Sequence, residues 1–273
     1  MIVDTHTHVI ARDEVRYPLR PSGVGSNWYR ESPCTAEELT LLMEGAGVGA
    51  AVLVQAFGAY TYDNSYVVDA AAVSPGRFRS VVIVDPEAPG ATDELRALAQ
   101  AGATGVRLFS IGPADRPQPT WLDAPATFAV WEASAALGLR VVVACLPEHL
   151  SRLGAMLARF PEQVVLLDHL AFVDAADPDD TRALFELARH PRLYGKVTSH
   201  ALQAAPDPGE LVHRLVAEFG ADRLVWGSDF PQTHDRPYGA LVALAETACA
   251  DLAARDRDLV LGGTALRVWP ELA

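Results

Sequence analysis

Residues 139–144 read Leu-Arg-Val-Val-Val-Ala, a short run that is apolar at both odd and even positions. A strand with one wet face alternates apolar and polar residues. A run apolar at both parities marks a strand covered on both faces, as in a parallel sheet. Similar runs recur at 2–3, 50–54, 80–84, 105–108, 164–167, 193–197 and 224–226. Helical patterns lie between them, at 92–101, 124–137, 148–159, 178–189, 208–219 and 238–255. Another begins at Thr35-Ala36-Glu37-Glu38, an N-cap with a carboxylate at the third helical position. It carries Leu39, Leu42 and Met43 on one face and stops near Gly45 and Gly47. Eight strands, each followed by a helix, predict an α/β chain folded as a closed (β/α)8 TIM barrel, one domain over 1–273. An open doubly wound sheet would carry a GxGxxG turn after its first strand, and the chain has none.

Composition narrows the function classes. The chain has 22 Lys+Arg against 35 Asp+Glu, a formal charge of −13. That balance argues against nucleic acid and anionic membranes as partners, though not against an anionic small substrate. Cys34, Cys145 and Cys249 are scattered and odd in number, which fits a reducing compartment rather than a disulfide framework. No signal-peptide pattern or membrane-length apolar run occurs. The expectation is a soluble, cytoplasmic enzyme with a small-molecule substrate, its oligomeric state open.

In such a barrel the chemistry belongs at the C-terminal ends of the strands. Strand 1 ends Asp4-Thr5-His6-Thr7-His8. Two histidines at i and i+2 of an extended segment share a side, so both can converge on one metal or one substrate oxygen. They can equally be a hydrogen-bonded pair in a turn. Strand 6 ends Leu167-Asp168-His169, where a buried structural histidine is the plainer reading. Strand 8 ends Trp226-Gly227-Ser228-Asp229-Phe230-Pro231. A carboxylate there can take a proton from water or bind a metal, or simply cap the next turn. The segment 12–32 after strand 1, rich in Pro, Gly and Arg, is the predicted active-site loop. Its Tyr17, Trp28 and Tyr29, with Tyr60 and Tyr62 after strand 2, either roof a pocket or pack the loop onto the rim. Gln232, His234 and His200 are further candidates for the mouth. His190 and His213 fall in helical segments and are expected outside it.

Taken together, these motifs resemble the amidohydrolase superfamily, and within it the amidohydrolase-2 branch. The resemblance spans essentially the whole chain. It rests on the DTHTH opening, the LPEHL-to-LDHL stretch at 146–170, YGKV at 194–197, WGSDFP at 226–231 and GGTALRVW at 262–269. Within the branch it is nearest to the lactonases of sugar lactones and of 2-pyrone-4,6-dicarboxylate. The resemblance implies that His6 and His8 bind a divalent metal and that His169 polarises the substrate carbonyl. Asp229 would activate water and return its proton to the leaving group. Gln55, Arg107 and Lys196 on strands 2, 4 and 7, with Tyr62, would contact substrate. The planar fork of Arg107 suits a carboxylate, while an internal ion pair is the competing reading for Arg107 and Lys196.

The chain departs from the pattern at strand 5, which ends Val143-Ala144-Cys145-Leu146-Pro147 without the histidine or lysine ligand of many members. Cys145 is a thiolate ligand or a small buried hydrophobe, and His149 falls at the next helix start. The pyrone lactonases also lack that ligand and work without metal. A zinc or manganese ion on His6, His8 and Asp229 and metal-free catalysis are therefore both open. Thr264-Ala265 stands where relatives read Asn-Ala, and Thr264 is expected to make a similar local hydrogen bond with no change of function. The expected reaction is hydrolysis of a lactone. The alternatives are metal-dependent non-oxidative decarboxylation, disfavoured by the missing strand-5 histidine, a non-hydrolytic cyclisation or dehydration, and a catalytically silent binding protein.

Overall fold

The computed structural model describes residues 1–273. Its strands are β1 Ile2–Thr7, β2 Val48–Val54, β3 Phe78–Ile83, β4 Gly105–Phe109, β5 Arg140–Ala144, β6 Val165–Leu167, β7 Leu193–Thr198 and β8 Leu224–Gly227. They form one parallel sheet in the order β1 to β8. The ring closes just beyond β8, where Thr7 bridges Phe230 in parallel. Asp229 N–H donates to the His6 carbonyl at 2.8 Å, and His8 N–H donates to the Phe230 carbonyl at 2.8 Å. The (β/α)8 barrel read from the apolar runs is the observed fold.

The principal outer helices are α1 Ala36–Gly45, α2 Ser65–Ala72, α3 Ala91–Gln100, α4 Phe128–Ala136, α5 Leu150–Arg159, α6 Pro178–Leu187, α7 Pro208–Phe219 and α8 Tyr238–Ala248. The capping box at α1 is formed. Thr35 Oγ1 accepts from Glu38 N–H at 3.2 Å, and Glu38 Oε2 accepts from Thr35 N–H at 2.8 Å. Leu39 and Met43 are buried beneath α1, but Leu42 is 39% exposed, so the apolar face is narrower than the spacing implied. Helix α2, counted but not bounded in the sequence, fills the β2–β3 crossover. The helix expected over 238–255 stops at Ala248. The chain turns there so that Leu252 is buried, and a separate helix runs over Ala254–Asp258.

The both-faces-apolar runs have a direct explanation. Val52, Val142, Leu166 and Val225 point into the barrel. Their neighbours Leu53, Val141, Val143 and Leu167 point out against the helices. Each such side chain contributes about 1.5–3 kcal/mol on burial. The N-terminal mouth of the barrel is plugged by Val268, Trp269 and Leu272, and Arg140 Nε donates to the Val268 carbonyl at 2.7 Å. Thr264 Oγ1 donates to the Ala221 carbonyl at 2.9 Å, a bond across 43 residues in place of the local one expected. Above the apolar layers the inward positions turn polar. They are Arg107 on β4, Asp168 after β6, Lys196 and Thr198 on β7 and His6 on β1, all buried. No helix is long and apolar enough to cross a membrane.

Candidate active site

β1 carries the first donors. Its pairing with β2 is irregular between Asp4 and Thr7. Asp4 therefore faces the helix layer, where it accepts from Tyr238 Oη at 3.0 Å and from Ser228 N–H at 2.8 Å. His6 faces the lumen. Burial pushes the Asp4 carboxyl up to about 6. Gly227 makes room for the crossing, since a Cβ there would lie 2.6 Å from His6 Cβ.

The two histidines of the DTHTH segment share a side, with ring centroids 5.0 Å apart. His8 Nδ1 lies 2.9 Å from the Val54 carbonyl. That oxygen only accepts, so Nδ1 carries the proton and Nε2 presents a lone pair. His6 Nδ1 lies 3.1 Å from Asp168 Oδ1, which fixes the same tautomer. Burial holds the His6 imidazole well below its ordinary value. Both free Nε2 atoms approach Asp229 Oδ1, at 3.5 Å from His6 and 3.4 Å from His8. All three atoms are buried and without a hydrogen-bond partner.

His169 completes the cluster. It begins a left-handed turn in which His169, Leu170, Ala171 and Phe172 all have φ between 52° and 57°. Such a conformation costs roughly 1–2 kcal/mol per residue. It persists because Leu170 and Ala171 are locked in the core. On a continued strand Asp168 and His169 would face opposite ways; the turn brings both to the lumen. His169 Nδ1 meets Thr198 Oγ1 at 2.9 Å, and burial lowers its pKa to about 4. One donor atom each from His6, His169 and Asp229 lie within 4.8 Å of one another. Asp229 also has a positive φ of 58°, and its Oδ2 accepts from Thr233 Oγ1 at 3.1 Å. Burial alone would raise its carboxyl, but the adjacent His169 and His8 hold it below the usual carboxylate range.

Asp168 ties together three side chains from three strands, and the strand-end motif gave it no role. Besides His6, it takes Lys196 Nζ at 2.9 Å and Arg107 Nε at 2.7 Å. Burial opposes its ionisation, yet Lys196, His6 and Arg107 together keep it well below the usual range. A signal was present. Two cations on inward positions of β4 and β7 require a buried anion, and residue 168 shares the inward parity of Leu166. Lys196, the only lysine in the chain, is fully buried and also donates to the Thr5 carbonyl at 3.1 Å. Arg107 makes its ion pair through Nε, and its terminal nitrogens form no hydrogen bond within the chain.

The other sequence candidates divide. Trp28, in segment 12–32, is buried with its ring 5.3 Å from that of His8. Tyr17 bonds Asp69, Tyr29 bonds Asn27 and Tyr60 Oη accepts from Ala11 N–H; these three pack the loop. Gln55 is buried, its amide nitrogen donating to the Asp63 carbonyl. Tyr62, 37% exposed, stands on Phe57, which stacks on Phe109 beneath Arg107. His234 Nε2 lies 3.4 Å from Glu31 Oε2 and ties the loop after β8 to the loop after β1. His200 stands 6.0 Å from His169 between ring centroids. Gln232 and His213 are exposed and His190 half-buried. Cys145 points into the helix layer with its thiol pushed up to about 12 by burial, so it is a core residue and not a ligand. His149 is buried in the turn before α5.

The residues present fit a divalent cation. His6 Nε2 and His8 Nε2 each lie within 3.5 Å of Asp229 Oδ1. His6, His169 and Asp229 bring ligand atoms within 4.8 Å of one another, and a cation is what such lone pairs bind. Comparison with known proteins agrees with this architecture. An L-fucono-1,5-lactonase from Burkholderia ambifaria is 30% identical over 249 residues, 85% of this chain and 84% of that one. A 2-pyrone-4,6-dicarboxylate hydrolase from Comamonas testosteroni is 27% identical over 98% of this chain and 90% of its own. The crystal structure of an amidohydrolase from Burkholderia multivorans with bound zinc superposes with a TM-score of 0.79 at 22% identity, covering 99% of both chains. The amidohydrolase family profile matches residues 3–270, and the chain belongs to that family.

Proposed function

We propose that this chain is a lactonase that hydrolyses a small cyclic ester at the cluster of His6, His8, His169 and Asp229. The observation that carries the reading is the convergence of three bare acceptor atoms on one point, in a family whose similar members include a lactonase and a lactone-ring hydrolase. A zinc or manganese ion held by His6, His8 and Asp229 would polarise the ester carbonyl and bring bound water to a pKa near ~7.

The chain's own groups have separable tasks. With a proton on Nδ1, as the Val54 carbonyl and Asp168 contacts of His8 and His6 favour, Nε2 presents a lone pair and not a donor. We assign His6 and His8 the holding of a cation, the first of the two readings the sequence left open. His169 is the donor. In this role Nδ1 accepts from the Thr198 hydroxyl 2.9 Å away and Nε2–H meets the substrate carbonyl oxygen. Asp229 takes a proton from water as the water oxygen bonds to the carbonyl carbon. When the ring C–O bond breaks, Asp229 returns that proton to the departing oxygen, giving a hydroxy acid. The terminal nitrogens of Arg107 bind a carbonyl or carboxylate oxygen of the substrate, with Asp168, itself held by Lys196, fixing the guanidinium from below. Gln55 and Tyr62 shape the β2 rim of the pocket.

The test pairs metal analysis of the purified protein with acid release from a panel of sugar, aliphatic and pyrone lactones. About one equivalent of zinc or manganese, and activity lost on chelation and regained on metal addition, is the expected result. Release of carbon dioxide from aromatic carboxylates without lactone hydrolysis would replace this reading with decarboxylation.

A further inference from the structure

A cavity of about 330 Å³ opens beside His169, bounded by the turn after β6 and the helix Ser199–Ala204 after β7. At ~30 Å³ per water that is room for about ten water-sized groups. Its walls are Phe172, Val173, Ala201, Ala204 and Leu211. The polar side chains on it are few. His169 belongs to the reacting cluster, His200 stands at the opening, and Asp174 is exposed at the rim. No cationic side chain lines it; Arg214 approaches from outside and donates to the Ala175 carbonyl at 3.3 Å.

The left-handed turn ties this cavity to the chemistry. Three residues apart in that turn, His169 and Phe172 stack with centroids 4.6 Å apart. His200 meets the Phe172 ring edge-on at 5.1 Å. An aromatic wall thus runs from the imidazole of the cluster into a chamber whose remaining side chains are mostly apolar. Resting on the lactone reading above, we infer that this cavity is the specificity pocket, and that it takes an uncharged apolar substituent of the lactone ring, an alkyl or aryl group. A carboxylate in it would meet the Asp174 carboxylate with no cation to pair it. Arg107, on β4 and paired with Asp168 one residue before His169, does not line this cavity and is left for the polar end of the substrate.

The experiment uses unreactive ring analogues, so that binding is read without turnover. Piperidin-2-ones bearing hydrogen, methyl, propyl, pentyl or carboxylate on the carbon next to nitrogen are titrated into the metal-loaded protein by calorimetry. Affinity should rise about fourfold per buried methylene, the equivalent of 0.8 kcal/mol, and the carboxylate should bind more weakly than the parent. Ala204→Trp, a change at an exposed wall position outside the reacting cluster, should flatten the series and leave the unsubstituted lactam unaffected. A flat wild-type series, a carboxylate that binds best, or a series unchanged by Ala204→Trp would each overturn the inference. The matching lactones are assayed in parallel. If none is hydrolysed while lactam affinity still climbs with chain length, the lactonase reading falls and the pocket stands. If lactones are hydrolysed at rates blind to the substituent and the lactam series is flat, the pocket falls and the lactonase reading stands.

Discussion

Asp168 Oδ1 stands 2.9 Å from Lys196 Nζ, and both side chains are fully buried at the floor of the site. The same carboxylate holds Arg107 and the Nδ1 face of His6. It therefore acts on the chemistry through other residues. It compensates two buried cations and sets the tautomer that leaves His6 Nε2 bare.

Removing that charge should be costly. Asp168→Asn keeps the shape but leaves Lys196 and Arg107 buried without an anion, a change worth about 3–5 kcal/mol. At roughly 2–4 °C per kcal/mol for a chain approaching this size, Tm should fall by about 6–20 °C. Adding Lys196→Met should recover part of the loss. Metal affinity of the single variant, measured by competition with a chromophoric chelator, should drop about 10–100-fold. An Asp168→Asn protein as stable as the wild type would mean the ion network does not hold the site.

Asp229→Asn should remove the base without altering the fold. We expect kcat on the best lactone to fall at least 10²–10⁴-fold, with an unchanged circular dichroism spectrum. Near-wild-type turnover would remove Asp229 from the mechanism.

Gly227→Ala tests the β1–β8 crossing. The new methyl would sit 2.6 Å from His6 Cβ, so β1 or β8 must shift. Overpacking of this kind costs typically ~1–3 kcal/mol, and the displaced His6 should cost activity out of proportion to stability. Urea midpoints and kcat measured on one preparation separate the two effects.

Stability of the chelated protein should depend on acid in a defined direction. His6 and His169 have lowered native values, the latter about 4. Below pH ~6.5 the unfolded chain binds protons that the folded chain refuses, so both groups lose stability as pH falls through that window. Asp4, raised to about 6, works oppositely, since its contribution is present at low pH and fades as pH rises through 6. Two groups outweigh one, giving a net slope on the order of 1 kcal/mol per pH unit between about 6 and 4. Below the ordinary carboxylate value, Asp168 and Asp229, both lowered, add to the loss. Denaturant midpoints at pH 8, 6.5, 5 and 4 should be level at first and then fall. A midpoint that rises on acidification would mean the histidines are not buried neutral.

Much of the architecture was legible because barrel burial writes itself into local sequence. Val141, Val142 and Val143 must all be apolar when one face meets the lumen and the other the helices. Thr35 and Glu38 announce α1 through bonds made within four residues. The same locality explains why His6, His8 and Asp229 could be picked out, since polar residues at the ends of apolar strands stand out against their surroundings. What tertiary structure alone decided lies between elements distant in the chain. Asp168 draws its partners from β1, β4 and β7, a pairing that no local pattern encodes. The inward swing of His169 depends on four left-handed residues held by the core, against the period-2 rule that would have turned it away from Asp168. Cys145 and Arg107 follow their strands with opposite parities, and only the closed ring shows that one faces the helices and the other the lumen. Sequence determines which residues must be buried. Closure of the barrel determines which of them meet.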